Sequence, residues 1–201
     1  MADAEKGRPN QKSRTRKDLL RAAARLMKEG KNPGLEEIAE AAMVSRATAY
    51  RYFSGVEALL VEAALDVAMP DDDFFAGDGS TDAAARMLRA DAAVSAMVLE
   101  NEPALRAMLV HSLQRGGDAE GLPVRQNRRT PLIEQALAPL QGEIPSADFT
   151  RLAQALALVI GTESMIVFRD VLQIGDEEAA AVRAWMIRSL VAAALEARAK
   201  P

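Results

Sequence analysis

The 201-residue chain contains no cysteine and one histidine. Without thiols it forms neither a disulfide framework nor a thiolate metal site, and the lack of disulfides fits a reducing cytoplasm. A single histidine leaves little for metal ligation or proton transfer. A glycine-rich phosphate loop is missing, and so is the Glu-x-x-His spacing of carboxylate metal bundles. The chain is therefore expected not to be an enzyme and to need no cofactor and no metal. No apolar run approaches the ~20 residues of a membrane span; the longest, Ala153 to Ile160, is closely followed by Glu163 and Arg169. Residues 1–17 are charged and lack the apolar stretch of a secretory signal. A soluble cytoplasmic protein with no membrane partner is expected.

Hydrophobic residues make up 49% of the chain, enough for a buried core. Ala, Leu and Met dominate this set and β-branched residues are comparatively few, a composition that favours helices. The net charge of −4 conceals an asymmetry. Residues 1–58 hold 12 Lys and Arg against 8 Asp and Glu, whereas residues 59–201 hold 13 against 21. A basic head on an acidic body points to a polyanion as partner for the head alone, although a merely solvated basic tail has the same composition.

Residues 1–12, polar with Gly and Pro, are expected to form a flexible basic arm. From Ser13 the apolar residues Leu19, Leu20, Ala23, Leu26 and Met27 mark one face of a helix ending near Gly30. Asn32-Pro33 opens a second, short helix with Leu35, Ile38, Ala39 and Ala42 inside. After a break at Met43-Val44, Ser45 caps a third helix over 46–53, and Ser54 a fourth that runs to Pro70. A longer helix followed by two short ones is the helix-turn-helix layout. The acidic, turn-rich residues 71–80 read as a connection. Beyond them lie helical stretches at 81–100, 102–114, about 123–140, 146–172 and 176–200, with no alternating strand pattern.

Residues 35–53, LEEIAEAAMVSRATAYRYF, resemble the helix-turn-helix of the TetR family, whose loose pattern is I-A-x-x-A-G-V-S-x-x-x-x-Y-x-Y-F. Ile38-Ala39, Ala42, Val44-Ser45, Tyr50 and Tyr52-Phe53 match it, as do Glu57 and Leu59-Leu60 beyond. Three positions depart. Met43 replaces the usual turn glycine, so the turn is expected to form without a residue that favours positive φ. Ala47 stands where a small residue, often glycine, is common. Val56 replaces a lysine that contacts phosphate in the family.

The resemblance implies an all-α protein of about nine helices. A three-helix DNA-binding domain over 13–58, its motif at about 35–53, would precede a ligand-sensing and dimerisation domain over 59–200. On a helical wheel the third helix places Ala49 and Phe53 inward, Ala47, Thr48, Arg51 and Tyr52 outward, and Arg46 and Tyr50 at the flanks. By resemblance, Arg46 and Thr48 meet bases, Tyr50 and Tyr52 meet phosphates, and Arg14 and Lys17 grip the backbone; Ser45 and Arg51 complete the DNA-binding set. Such a protein would act as a homodimeric repressor on a palindromic operator in double-stranded DNA, released by a small apolar or amphipathic inducer. An activator or a DNA-bound structural protein is the alternative.

In the larger domain residues 149–172 are apolar on nearly every side, and the last helix has a wide apolar face. A dimer interface through these two helices is expected, with Leu156, Ile160, Val167, Trp185 and Leu190 as candidates. Met87, Met97, Met108, Met165 and Phe168 are candidates for an adaptable apolar pocket lining, or for plain core. His111 is a candidate ligand contact, or an ordinary core or surface histidine. Glu163, inside the apolar stretch, is expected to face a cavity or a partner.

Overall fold

The computed structural model describes residues 3–71, 73–115 and 127–198, with side chains described from residue 14 onward except at positions 111, 114, 115 and 198. Among the described residues there are ten α-helices and no β-strand, the expected all-α class. They are α1 (Asp3–Lys28), α2 (Leu35–Ala41), α3 (Arg46–Tyr52), α4 (Val56–Ala68), α5 (Ala83–Glu100), α6 (Glu102–Arg115), α7 (Arg129–Ala136), α8 (Ser146–Val159), α9 (Thr162–Ile166) and α10 (Asp176–Arg198). A 3-10 turn (Ala138–Leu140) follows α7 and a π-helical turn (Val167–Val171) follows α9. No single helix among the described residues is long and apolar enough to cross a membrane.

The chain divides into two compact units, one drawn from Met1–Ala68 and Pro103–Gln126, the other from Met69–Glu102 and Asn127–Pro201. The first unit is built on α1. Leu19, Leu20, Ala23 and Leu26 recur at helical spacing and are buried against Ile38 and Ala39 of α2, Ala49 and Phe53 of α3, and Leu59 and Ala63 of α4. Because α4 completes this core, the division falls after Ala68 rather than at the expected 58/59. Helix α1 also starts earlier than expected and takes in residues 3–12, read above as an arm. Alanine, glutamate and lysine at 4–6 are all good helix formers.

The second unit packs α5, α7, α8 and α10 around Met87, Ala90, Val94, Ile133, Leu137, Leu156 and Ile187, all at most 2% exposed. Its helix ends are closed by side chains. Asp82 accepts from the backbone N–H groups of Ala84 and Ala85 at the start of α5 (2.9 and 3.0 Å). Arg86, itself buried, donates to the carbonyls of Gln135 and Ala136 at the end of α7 (2.8 and 3.1 Å).

The continuous helix expected over 146–172 is broken. Gly161 has φ +108° and ψ −165°, a conformation essentially reserved for glycine, so α8 stops and α9 restarts in a new direction. Arg129 holds the break. Its Nη1 donates to the carbonyls of Ala157 and Ile160 (2.9 and 2.8 Å), and its Nη2 pairs with Glu163 at 2.6 Å. Glu163 thus finds its partner in Arg129, within its own chain. A Cβ on residue 161 would lie 2.8 Å from Arg129 Nη1, so the glycine and the arginine require each other.

Candidate DNA-binding interface and ligand cavity

The turn between α2 and α3 sets the direction of the exposed helix. After Ala42 the N–H of Met43 donates to Glu40 and that of Val44 to Ala39, both at 2.9 Å. This double closure needs a left-handed residue at its centre, and Met43 supplies it with φ +55°. The turn is thus made without a residue that favours positive φ, and the methionine adopts the conformation usual for glycine. Its side chain is 94% exposed, so no packing penalty adds to the backbone strain.

Ser45 then caps α3 through its hydroxyl, which accepts from Thr48 N–H at 3.1 Å and lies 2.8 Å from Thr48 Oγ1. Ser45, Arg46, Ala47, Tyr50 and Arg51 are exposed and Thr48 is half-buried. Arg46 pairs with Glu36 of α2 at 2.5 Å and lies over the Tyr50 ring at 5.5 Å. The hydrogen bond to Tyr50, then the field of Glu36, raise the Arg46 pKa above its ordinary value, so the guanidinium stays charged. Arg14 and Lys17 are exposed on α1.

Tyr52 departs from its expected outward position. It is 2% exposed, because residues 49, 52 and 53 stand at i, i+3 and i+4 and share the buried face. Its carbonyl accepts from Arg16 Nη1 at 3.1 Å. Arg16 is the residue the sequence reading missed. It is 1% exposed, pairs with Glu62 of α4 at 2.5 Å, and lies 4.3 Å over the Phe53 ring. One guanidinium thus ties α1, the end of α3, and α4. The signal was available, since Arg16 occupies the apolar stripe of α1 with Leu19, Leu20 and Ala23.

A short helix, capped by a serine after a tight turn and offering Arg, Thr and Tyr from a rigid three-helix base, has the form of a helix-turn-helix DNA-binding domain. Residues 19–63 match the family model described as bacterial regulatory proteins, tetR family. This match supports a TetR-type DNA-binding transcriptional regulator. That match ends inside α4 and leaves the second unit uncharacterised by family. Neither a curated protein nor a solved structure matches the chain.

The second unit contains a cavity of about 450 Å³ between α5, the α9 segment and α10. Met165 and Phe168 line it, as do Leu88, Ala92, Ala96 and Leu99. Met87 and Met97 do not. They are 0% and 8% exposed and belong to the core beneath α5. Met108 stands on α6 in the other unit, and the His111 side chain lies outside the described residues.

The interface candidates also separate. Leu156 and Ile160 are wholly buried inside their own unit, so neither is available to a partner. They occupy the inner face of α8 and its end, with Leu152 and Val159. Leu190 is half-buried, while Val167 (46%) and Trp185 (68%) are exposed. Leu158 at 78%, Val171 at 69% and Leu172 at 55% are exposed in addition, so the α8–α10 stretch carries a large uncovered apolar set.

Proposed function

We propose that this regulator is a homodimeric repressor that holds a palindromic operator and is released by a small-molecule inducer bound in its second unit. The observation that carries this reading is the apolar set left uncovered on α8–α10, Leu158, Val171 and Trp185 foremost. Exposed apolar groups of this size mark an association surface, and a second copy of the chain is the partner that a two-fold operator requires. One α3 reaches only a few base pairs, whereas two, one helical turn apart, double the site. The 450 Å³ cavity falls within the range of small-molecule sites. Ligand binding would shift the dimer to a state in which the two α3 helices no longer match successive major grooves. Arg46, Thr48 and Tyr50 are the contacts of choice, with Arg14 and Lys17 on phosphates and the protein acting in the cytoplasm.

Purified protein titrated against labelled DNA from beside its own gene tests this at two salt concentrations. Binding tighter than to random DNA by ~10³ or more, and weakened by salt, is expected. Sedimentation should show a dimer that Trp185→Glu combined with Leu158→Glu converts to monomer. A wild-type monomer that binds both DNAs equally overturns the reading.

A further inference from the structure

The wall of the cavity contains a buried charge pair whose hydrogen bonding is incomplete. Arg183 of α10 is 9% exposed and Asp91 of α5 is 5% exposed. Arg183 Nε donates to both carboxylate oxygens of Asp91, at 2.9 and 3.1 Å, and the guanidinium lies 5.9 Å from the centroid of Phe168. Its Nη1 and Nη2 make no hydrogen bond to any described residue. Both partners and Phe168 line the cavity. An arginine carries five N–H donors, so up to four remain for whatever occupies this space. Nη1 and Nη2 are not sealed in the core, so they stay open to an acceptor brought by a ligand.

The surrounding charge narrows the chemistry. Asp91 already neutralises Arg183. The second arginine of the lining, Arg169, already pairs with two carboxylates, Asp176 (3.1 and 2.8 Å) and Glu102. Two arginines therefore face three carboxylates, and a ligand carboxylate would bring a fourth beside a pair that burial has already desolvated. Apart from the hydroxyls of Ser95 and Ser164, the rest of the lining is apolar: alanine, leucine, valine, methionine, phenylalanine and Gly161. Resting on the reading of the second unit as a ligand sensor, we propose that the cavity takes a neutral, mainly apolar molecule. One uncharged oxygen acceptor, a ketone, ester or amide carbonyl, accepts from Nη1 and Nη2 of Arg183. Carboxylates of the same size are rejected.

The test uses the full-length protein and three ten-carbon probes: decan-2-one, decanoate and decylamine. Calorimetric titration should show decan-2-one binding at least ten-fold more tightly than decanoate, and decylamine no better than the ketone. Ala92→Phe fills the cavity from an exposed position on α5 and should abolish ketone binding at an unchanged melting temperature. Arg183→Met with Asp91→Leu removes the pair without stranding a charge and should erase the discrimination between ketone and carboxylate. Tighter decanoate binding, no binding of the ketone, or discrimination that survives the double substitution each overturns the proposal. Release of labelled DNA is read separately. Ketone binding that leaves operator affinity unchanged defeats the inducer mechanism and leaves the assigned ligand class standing.

Discussion

Each unit of this protein buries an arginine against a carboxylate, and the two pairs are built differently. In the first unit Arg16 gives Nη2 to Glu62, Nη1 to the Tyr52 carbonyl, and its face to Phe53. In the second, Arg183 commits only Nε, to Asp91, and borders a cavity with the rest. The first pair spans α1, the end of α3 and α4 and behaves as a frame for α3. The second is left open on one side, which suits a receptor. A buried charge informs about function through the donors its neighbours leave unused more than through its presence.

Breaking the closed pair should have the largest effect. Arg16→Met leaves Glu62 buried without its partner, a change that costs ~3–5 kcal/mol. Urea unfolding should show that loss, and Arg16→Met with Glu62→Leu should recover most of it, because two apolar groups replace two charges. A single substitution costing under ~1 kcal/mol would mean that solvent reaches Glu62, and the frame argument would fail.

Next in size is the break in the second unit. Gly161→Ala places a Cβ 2.8 Å from Arg129 Nη1 at φ +108°, and strain of this kind costs roughly 1–3 kcal/mol. The melting temperature should fall and ketone binding should weaken, since Gly161, Ser164 and Met165 all border the cavity. A melting temperature equal to that of the wild type would show that Arg129 yields easily and does not clamp the α8–α9 junction.

The two parts of the chain were not equally legible. The helix-turn-helix is a local object, with caps, turn and apolar stripe within a few dozen residues, so its register could be read directly. Its errors were small in angle: Tyr52 was assigned to the wrong side of a seven-residue helix. The second unit fails differently. Residues 149–172 are apolar all round, and no periodicity in them reveals a stop at Gly161, because the stop depends on Arg129 from another helix. Leu156 and Ile160 were offered to a partner for the same reason. The cavity draws its walls from three helices distant in sequence, so methionine content alone could not separate Met165 from Met87.

A subtler contrast lies in titration. Burial, opposed by Arg183 and Ser95, raises the Asp91 pKa, so Asp91 holds a proton in the folded chain at pH values where the unfolded chain has lost it. Stability from this group therefore rises as pH falls through the raised pKa, and is lost again as pH climbs above it. Asp91→Asn cannot titrate. The melting temperature of the wild type minus that of Asp91→Asn should increase on acidification from neutral pH. A difference that shrinks would mean the ion pair outweighs burial and the carboxyl is held low.

The smallest expected effect sharpens the comparison within the first unit itself. Helices α1 and α2 end in the same double closure. After α1 the N–H of Gly30 donates to Met27 and that of Lys31 to Leu26, around a glycine at φ +77°. After α2 the same pattern forms around Met43 at φ +55°. A left-handed non-glycine residue costs roughly 1–2 kcal/mol, and glycine returns part of that through its freer unfolded chain. Met43→Gly should therefore stabilise the protein by about 0.5–1 kcal/mol, while Gly30→Ala should destabilise it by a similar amount. Because the Met43 side chain is 94% exposed, no core contact is lost. If Met43→Gly stabilises the fold and leaves operator affinity unchanged, the methionine is a tolerated strain. If affinity falls while stability rises, the exposed side chain touches DNA, and the turn of this helix-turn-helix belongs to the interface as well as to the frame.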